Sequence, residues 1–185
     1  MSAPHPTLAE LEAQLGGILE SPRDGGRLER IVRRPAPDER ETLAEARLDE
    51  REGLLGDDWK HRAARKQPGA EPSVLNQLTL MSSRVAQAVA LDVERWGLAG
   101  DQLYVDLDLS EANLPAGTRL SLGGCLLEVT AEPHLGCKKF AARFGADALV
   151  FVNGQARRAL RLRGVHARVV QSGLVRVGDR VQRLP

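Results

Sequence analysis

The sequence predicts a mainly β protein, a barrel or strongly curved sheet carrying a few short helices and one N-terminal helix. Three observations lead there. From Gly26 onward, short runs of alternating apolar residues are separated by Gly, Pro and Asn turn signals. The alternation is clearest in DQLYVDLDL (101–109), where Leu103, Val105, Leu107 and Leu109 share one face and Tyr104, Asp106 and Asp108 the other. The regular strand–helix alternation of a doubly wound α/β sheet is missing.

The elements follow in order. Thr7 and Glu10 form a capping-box pattern before an apolar stripe of Leu8, Leu11, Leu15, Ile18 and Leu19, which predicts an amphipathic helix over 7–19. SPRDGG (21–26) reads as a hinge, so residues 1–25 are taken as helix and hinge and residues 26–185 as the barrel domain. RLERIVRRP predicts a strand stopped by Pro35, and TLAEARL (42–48) a second. HRAARKQPGAEP (61–72) predicts a basic loop because it holds two prolines. VLNQLTLM predicts a strand, and SSRVAQAVALD a helix capped by Ser82 or Ser83. TRLSLGG and CLLEVTA predict a hairpin, with Cys125 on the core-facing side. Phe140, Ala141 and Phe144 recur at helical spacing before Gly145, and ADALVFVNG predicts another short helix. Leu160 and Leu162 are out of phase with Val165, Ala167 and Val169, which predicts a strand with a bulge at Gly164. Gly178-Asp179 turns the chain into a last strand.

Composition narrows the function. Lys and Arg total 26 against 25 acidic residues, so the chain lacks the basic excess of a dedicated nucleic-acid binder. Aromatic residues make up 3 %, too few for base-stacking platforms. The start MSAPHPTLAELEAQ lacks the pattern of a signal peptide, and no apolar run suggests a membrane span. A cytoplasmic protein with two reduced thiols is the expectation, with neither nucleic acid nor membrane as partner. Phosphate-loop, dinucleotide, CxxC, HExxH and GxSxG motifs are all absent.

What remains is EPHLGCKKFAARFG (132–145). Cys137 is flanked by Lys138 and Lys139, follows His134 by three positions and stands where a helix begins. Cations and helix N-termini favour the thiolate, which is both nucleophile and soft-metal ligand. Positions 137, 140, 141 and 144 also form one helical stripe, so the residues alone leave a buried structural cysteine as the other reading. His61, Arg62, Arg65 and Lys66 could guide a phosphate or simply form a solvated loop. Arg163 and Arg168 could reach an anion or face solvent. Asn76 and Asn113 suit turns, and Trp59 and Trp96 suit packing.

Five segments in order, GLLGDDW, LNQLTLMSSRV, GDQLYVDLDLSEANLPAGTRLSLGG, LLEVTAEPHLGCKKF and LRLRGVHARVVQSGLVRVGDRV, resemble the MOSC domain found at the C-terminus of molybdenum-cofactor sulfurases and as small stand-alone bacterial proteins. The resemblance implies a β-barrel related to that of pyruvate kinase, with a cleft cysteine that ligates molybdenum or carries sulfur. It implies Cys137 as that residue, catalytic and metal-ligating, with His134, Lys138, Lys139, Arg163 and Arg65 as cofactor-binding residues. Asp101 and Gln102 replace Glu and Asn of the family's Gly-Glu-Asn-Leu region. HLGC stands where many relatives have Arg-x-Pro-Cys, and the His-Gly-Gly element after the Gly-Asp motif is missing. The implied cofactor is a molybdenum–pterin. Pyridoxal phosphate enters only through a separate sulfurase, and a cysteine desulfurase or reductase is the implied partner. The alternative is a non-catalytic module that binds a small anion or a protein on the same barrel.

Overall fold

A computed structural model describes residues 5–185. The N-terminal stripe folds as two short helices, Leu8–Ala13 (α1) and Leu15–Leu19 (α2), with Leu11 and Ile18 buried. The Thr7/Glu10 capping box is formed. The predicted single helix is broken at Gln14, just before the Gly16-Gly17 pair, whose backbone freedom disfavours continuous helix.

Gly26–Arg33 (β1), Glu41–Leu43 (β2), Glu45–Asp49 (β3) and Gly53–Leu54 (β4) follow. The TLAEARL strand is thus two strands, parted at Ala44. The expected basic loop is corrected to a helix, Trp59–Lys66 (α3). Its Ala, Arg and Lys residues are good helix formers, and both prolines fall beyond its end. The side chain of Lys66 lies outside the described residues.

Val74–Asn76 is a 3-10 turn, so the next strand begins only at Leu78 and runs to Ser82 (β5). Ser83–Ala90 (α4) and a 3-10 segment, Val93–Ala99, lead to Leu103–Asp106 (β6). Arg119–Leu122 (β7) and Cys125–Val129 (β8) form the predicted hairpin across Gly123-Gly124. Lys138–Phe144 (α5) and Ala146–Asn153 (α6) match the two predicted helices. Val165–Gln171 (β9), Gly173–Arg176 (β10) and Arg180–Arg183 (β11) close the chain.

Seven strands form the barrel in the order β11-β7-β8-β9-β5-β6-β1, sealed where Gly26 and Arg27 of β1 pair with Val181 and Arg180 of β11. Closure removes the sheet edges that an open curved sheet would expose. Only β5 and β6 are parallel, with α4 in the connection between them. β2 extends β1, while β3, β4 and β10 make a small second sheet.

The predicted bulge at Gly164 is corrected. Gln155–Leu160 is a 3-10 segment, and the phase slip marks the loop entering β9. Gly164 has φ +108, and a Cβ there would stand 2.2 Å from the Leu80 carbonyl oxygen, so the close approach to β5 demands glycine.

Two cores result. Leu80, Leu103, Val105, Leu127, Val129 and Ala167 fill the barrel. Met81, Val85, Val89, Tyr104, Phe140, Phe144 and Phe151 fill a second layer between barrel and helices. Tyr104 does face away from Leu103, but that face is roofed by helices. Only Asp106 and Asp108 on it are half-exposed.

Candidate functional site

Asp101, just before β6, is fully buried and joins two side chains from distant loops. Arg163 Nη1 donates to its Oδ2 at 2.6 Å, and His134 Nε2 lies 2.8 Å from its Oδ1. Burial alone would raise the Asp101 pKa; Arg163 and the His134 contact together hold the carboxyl far below the usual range. Burial, aided by Arg163 and opposed by Asp101, pushes His134 down to about 4, so its ring is neutral at pH 7 and donates Nε2–H to Asp101. His166 packs beside it with ring centroids 4.4 Å apart and is likewise lowered, chiefly by burial. Its Nδ1 meets the Glu132 carbonyl at 3.1 Å.

A ring of arginines stands next to this triad. The segment Val93–Ala99 ends at Gly100 with φ +92, and its last carbonyls have no helical partner. Four successive ones are taken by four arginines. Arg40 Nε donates to Gly97 O at 3.0 Å and Arg143 Nη1 to Leu98 O at 2.8 Å. Arg163 Nη2 donates to Ala99 O at 2.8 Å and Arg34 Nη1 to Gly100 O at 2.7 Å. The negative end of the peptide dipoles thus gathers guanidinium groups that would otherwise repel. Arg34 is also paired with buried Asp57 at 2.8 Å, and Arg143 with Asp38 at 2.7 Å. Arg40 has no carboxylate partner among the described residues. Burial first, then Arg143 and Arg34, push its pKa below the ordinary value. Arg62 on α3 is lowered too, by desolvation and then by Arg34, and forms no ion pair among the described residues.

Cys137 caps α5 from an extended conformation. It is exposed, so the buried-cysteine reading does not hold, although Phe140 and Phe144 of the same stripe are buried. Cys125 is the buried cysteine, and burial pushes its thiol up to about 11. For Cys137 partial burial also opposes the thiolate. The backbone N–H groups of Phe140 and Lys139, then the charges of Arg163 and Arg143, outweigh it and hold the thiol below its ordinary value. Arg163 also lies over the Phe140 ring, 5.1 Å from its centroid, tying the buried triad to the helix that Cys137 begins.

The structure therefore brings His134, Arg163 and Cys137 into one electrostatic unit. Lys139 sits at the surface with Nζ 3.4 Å from Asp38, and Lys138 is exposed. Arg65 is held by an ion pair to Asp58. Arg34, Arg40, Arg62, Arg143 and the carboxylate Asp57 were not singled out from sequence as a cluster, because their grouping depends on backbone carbonyls. Gly136 is fixed by Asn153, whose Oδ1 accepts its N–H at 2.8 Å, and a Cβ there would meet Leu149 at 2.7 Å. Asn76 accepts from Trp59 Nε1 at 3.2 Å, and Asn113 donates to the Arg23 and Asp108 carbonyls. Arg168 pairs with Glu128 on the barrel surface. No group of three or more His, Cys, Asp or Glu side chains able to hold a metal exists among the described residues. No helix among them is long and apolar enough to cross a membrane.

Comparison with solved structures finds the same fold in YuaD from Bacillus subtilis, with TM-score 0.62 and 20 % identity over 85 % of this chain and 94 % of that one. YiiM from Escherichia coli aligns with TM-score 0.54 and 19 % identity over 86 % of this chain and 70 % of that one. No curated protein sequence matches. The profile of the MOSC domain matches residues 74–182. That span is more than half of the chain, runs from the turn before β5 into β11, and contains Asp101, His134, Cys137 and Arg163. On that match the chain belongs to the MOSC domain family.

Proposed function

We propose that this protein handles sulfur or a molybdenum–pterin cofactor, with Cys137 as the working thiolate. The observation that carries the reading is an exposed cysteine, made acidic by Arg163 and Arg143, beside arginines of which Arg40 and Arg62 have no carboxylate partner among the described residues. A fully buried Arg163 Nε without a hydrogen-bond partner adds an unspent donor.

This donor set fits a phosphate-bearing pterin whose metal takes one soft ligand. Cys137 would be that ligand, and Arg40 and Arg62, with Lys139 at the rim, would neutralise the anionic parts. Such a cofactor supplies two-electron redox chemistry when bound. The protein's own part is to keep the thiol ionised, orient the anion on fixed guanidinium groups and leave His134 and His166 neutral beside it. Arg65, held by Asp58, drops out of the binding set, and Arg62 takes its place.

For sulfur transfer, the Cys137 thiolate attacks the outer sulfur of a persulfide on a cysteine desulfurase. The new S–S bond forms at Cys137 as the donor's S–S bond breaks, and the donor cysteine leaves as a thiolate. Pyridoxal phosphate belongs to that partner. A second reading, a module that only binds an anion, is favoured by the same arginines and by the altered HLGC segment.

Native mass spectrometry of the protein from its own host, repeated on Cys137→Ala and Cys125→Ala, tests the reading. Cofactor mass or one added sulfur atom should vanish in the first variant and persist in the second. Equal loading of both variants would end it in favour of the binding module.

A further inference from the structure

The largest cavity of the molecule, about 780 Å³, lies outside the Cys137 site and shares none of the residues assigned there. It opens between α1–α2 and α4, on the outer side of β1 and β6. Its volume is in the range of small-molecule sites. Ile18, Ala88 and Leu91 give it apolar walls, and the Trp96 ring forms part of its lining.

Three features mark it as more than a packing gap. Trp96 is 8 % exposed, yet its Nε1–H has no hydrogen-bond partner, an orphan donor of a kind that native cores rarely leave. Trp59, in contrast, spends its Nε1–H on Asn76. Leu91 holds φ +64, a left-handed conformation unfavourable for leucine, and its side chain is part of the lining. Gly17 leaves open space: a Cβ added there meets nothing within 4 Å, although glycine weakens its helix.

The charge around the cavity is lopsided. Its one arginine, Arg84, is spent on Asp106 at 2.7 Å and on the Gly17 carbonyl at 2.7 Å. The Glu10 carboxylate is bound only to its own capping partner Thr7, and Glu29 has no ion pair among the described residues. An occupant that satisfies these walls has an apolar ring, an acceptor for the indole N–H and a positive charge for the two glutamates.

We propose that this cavity is a second ligand site, taking a small aromatic amine whose ring carries a hydrogen-bond acceptor remote from the ammonium group. Tyramine is a minimal probe of that class. Phenethylamine lacks the acceptor, and 3-(4-hydroxyphenyl)propionate replaces the cation by an anion.

The two indole N–H resonances of 15N-labelled full-length protein report the outcome. With tyramine the Trp96 signal should shift and saturate while the Trp59 signal stays in place. Phenethylamine should bind more weakly, and the anionic probe should leave both signals unmoved. Gly17→Leu projects a side chain into the open space without a backbone clash and should weaken tyramine binding roughly tenfold or more. An unchanged Trp59 signal verifies that this variant is folded. A still Trp96 signal with tyramine in the millimolar range overturns the proposal. So does an equal response to the anionic probe or to phenethylamine, or full affinity in folded Gly17→Leu.

Discussion

His134 and Asp101, 33 positions apart in the chain, meet at 2.8 Å inside the protein. These are two of the positions at which the sequence departs from the MOSC pattern that it resembles, and the departures touch. His supplies a donor where Arg is common and Asp an acceptor where Glu is common, so the pair forms a short internal contact beside Cys137. The neutral ring makes the contact sensitive to acid. His134 has a folded value of about 4, below its ordinary 6.5, so the unfolded chain binds the proton first. The stability that this contributes is complete above about pH 6.5 and is lost as pH falls toward 4. His134→Gln keeps a donor and should flatten thermal stability across that window, whereas the native protein should lose on the order of 3 kcal/mol. Melting curves at intervals between those pH values check it.

Asp101 and Arg163 form a buried ion pair in which neither charge has an alternative counter-charge of equal geometry. Asp101→Ala or Arg163→Ala alone should cost roughly 3–5 kcal/mol by stranding the other charge. The double variant should cost clearly less than the sum. Urea unfolding of the four proteins gives the coupling, and strict additivity would show that the pair is not the stabilising unit.

The two thiols should separate in kinetics. Iodoacetamide should label Cys137 readily, with an inflection below the ordinary cysteine pKa of about 8.5, and should leave Cys125 unmodified in the folded state at neutral pH. Arg143→Gln should raise the Cys137 inflection, since one of the charges holding the thiolate is gone. Peptide mass mapping against pH reads both outcomes.

Arg40 is the cation without a carboxylate, so it is the best test of anion binding. Arg40→Gln should lower affinity for inorganic phosphate or molybdate roughly tenfold, as expected for a lost hydrogen bond to a charged group. Arg65→Gln should leave that affinity unchanged, because Asp58 already occupies its guanidinium. Isothermal titration distinguishes the two, and equal losses would argue for a diffuse surface effect.

Much of the barrel was legible in the residues. The alternation of Leu103–Leu109, the Gly123-Gly124 hairpin and the Phe140–Phe144 spacing all correspond to observed elements. Misreadings came where one punctuation residue had two meanings. Pro68 and Pro72 end a helix instead of excluding one, and Gly164 marks a tight approach to Leu80 instead of a bulge. Cys137, His134 and Arg163 were found because local context and the resemblance named them. Arg34, Arg40 and Arg143 were not, since they share no spacing; what groups them is four peptide oxygens of a loop whose own side chains carry no polar signal.

That arrangement makes residues 97–100 a ruler. Each guanidinium is indexed to one rung of the main chain, so the side chains of Gly97, Leu98, Ala99 and Gly100 are dispensable to the indexing while their number is not. A single-residue deletion there would move every rung by one place and misalign Arg34, Arg40, Arg143 and Arg163 together. In this segment the functional information is stored as length.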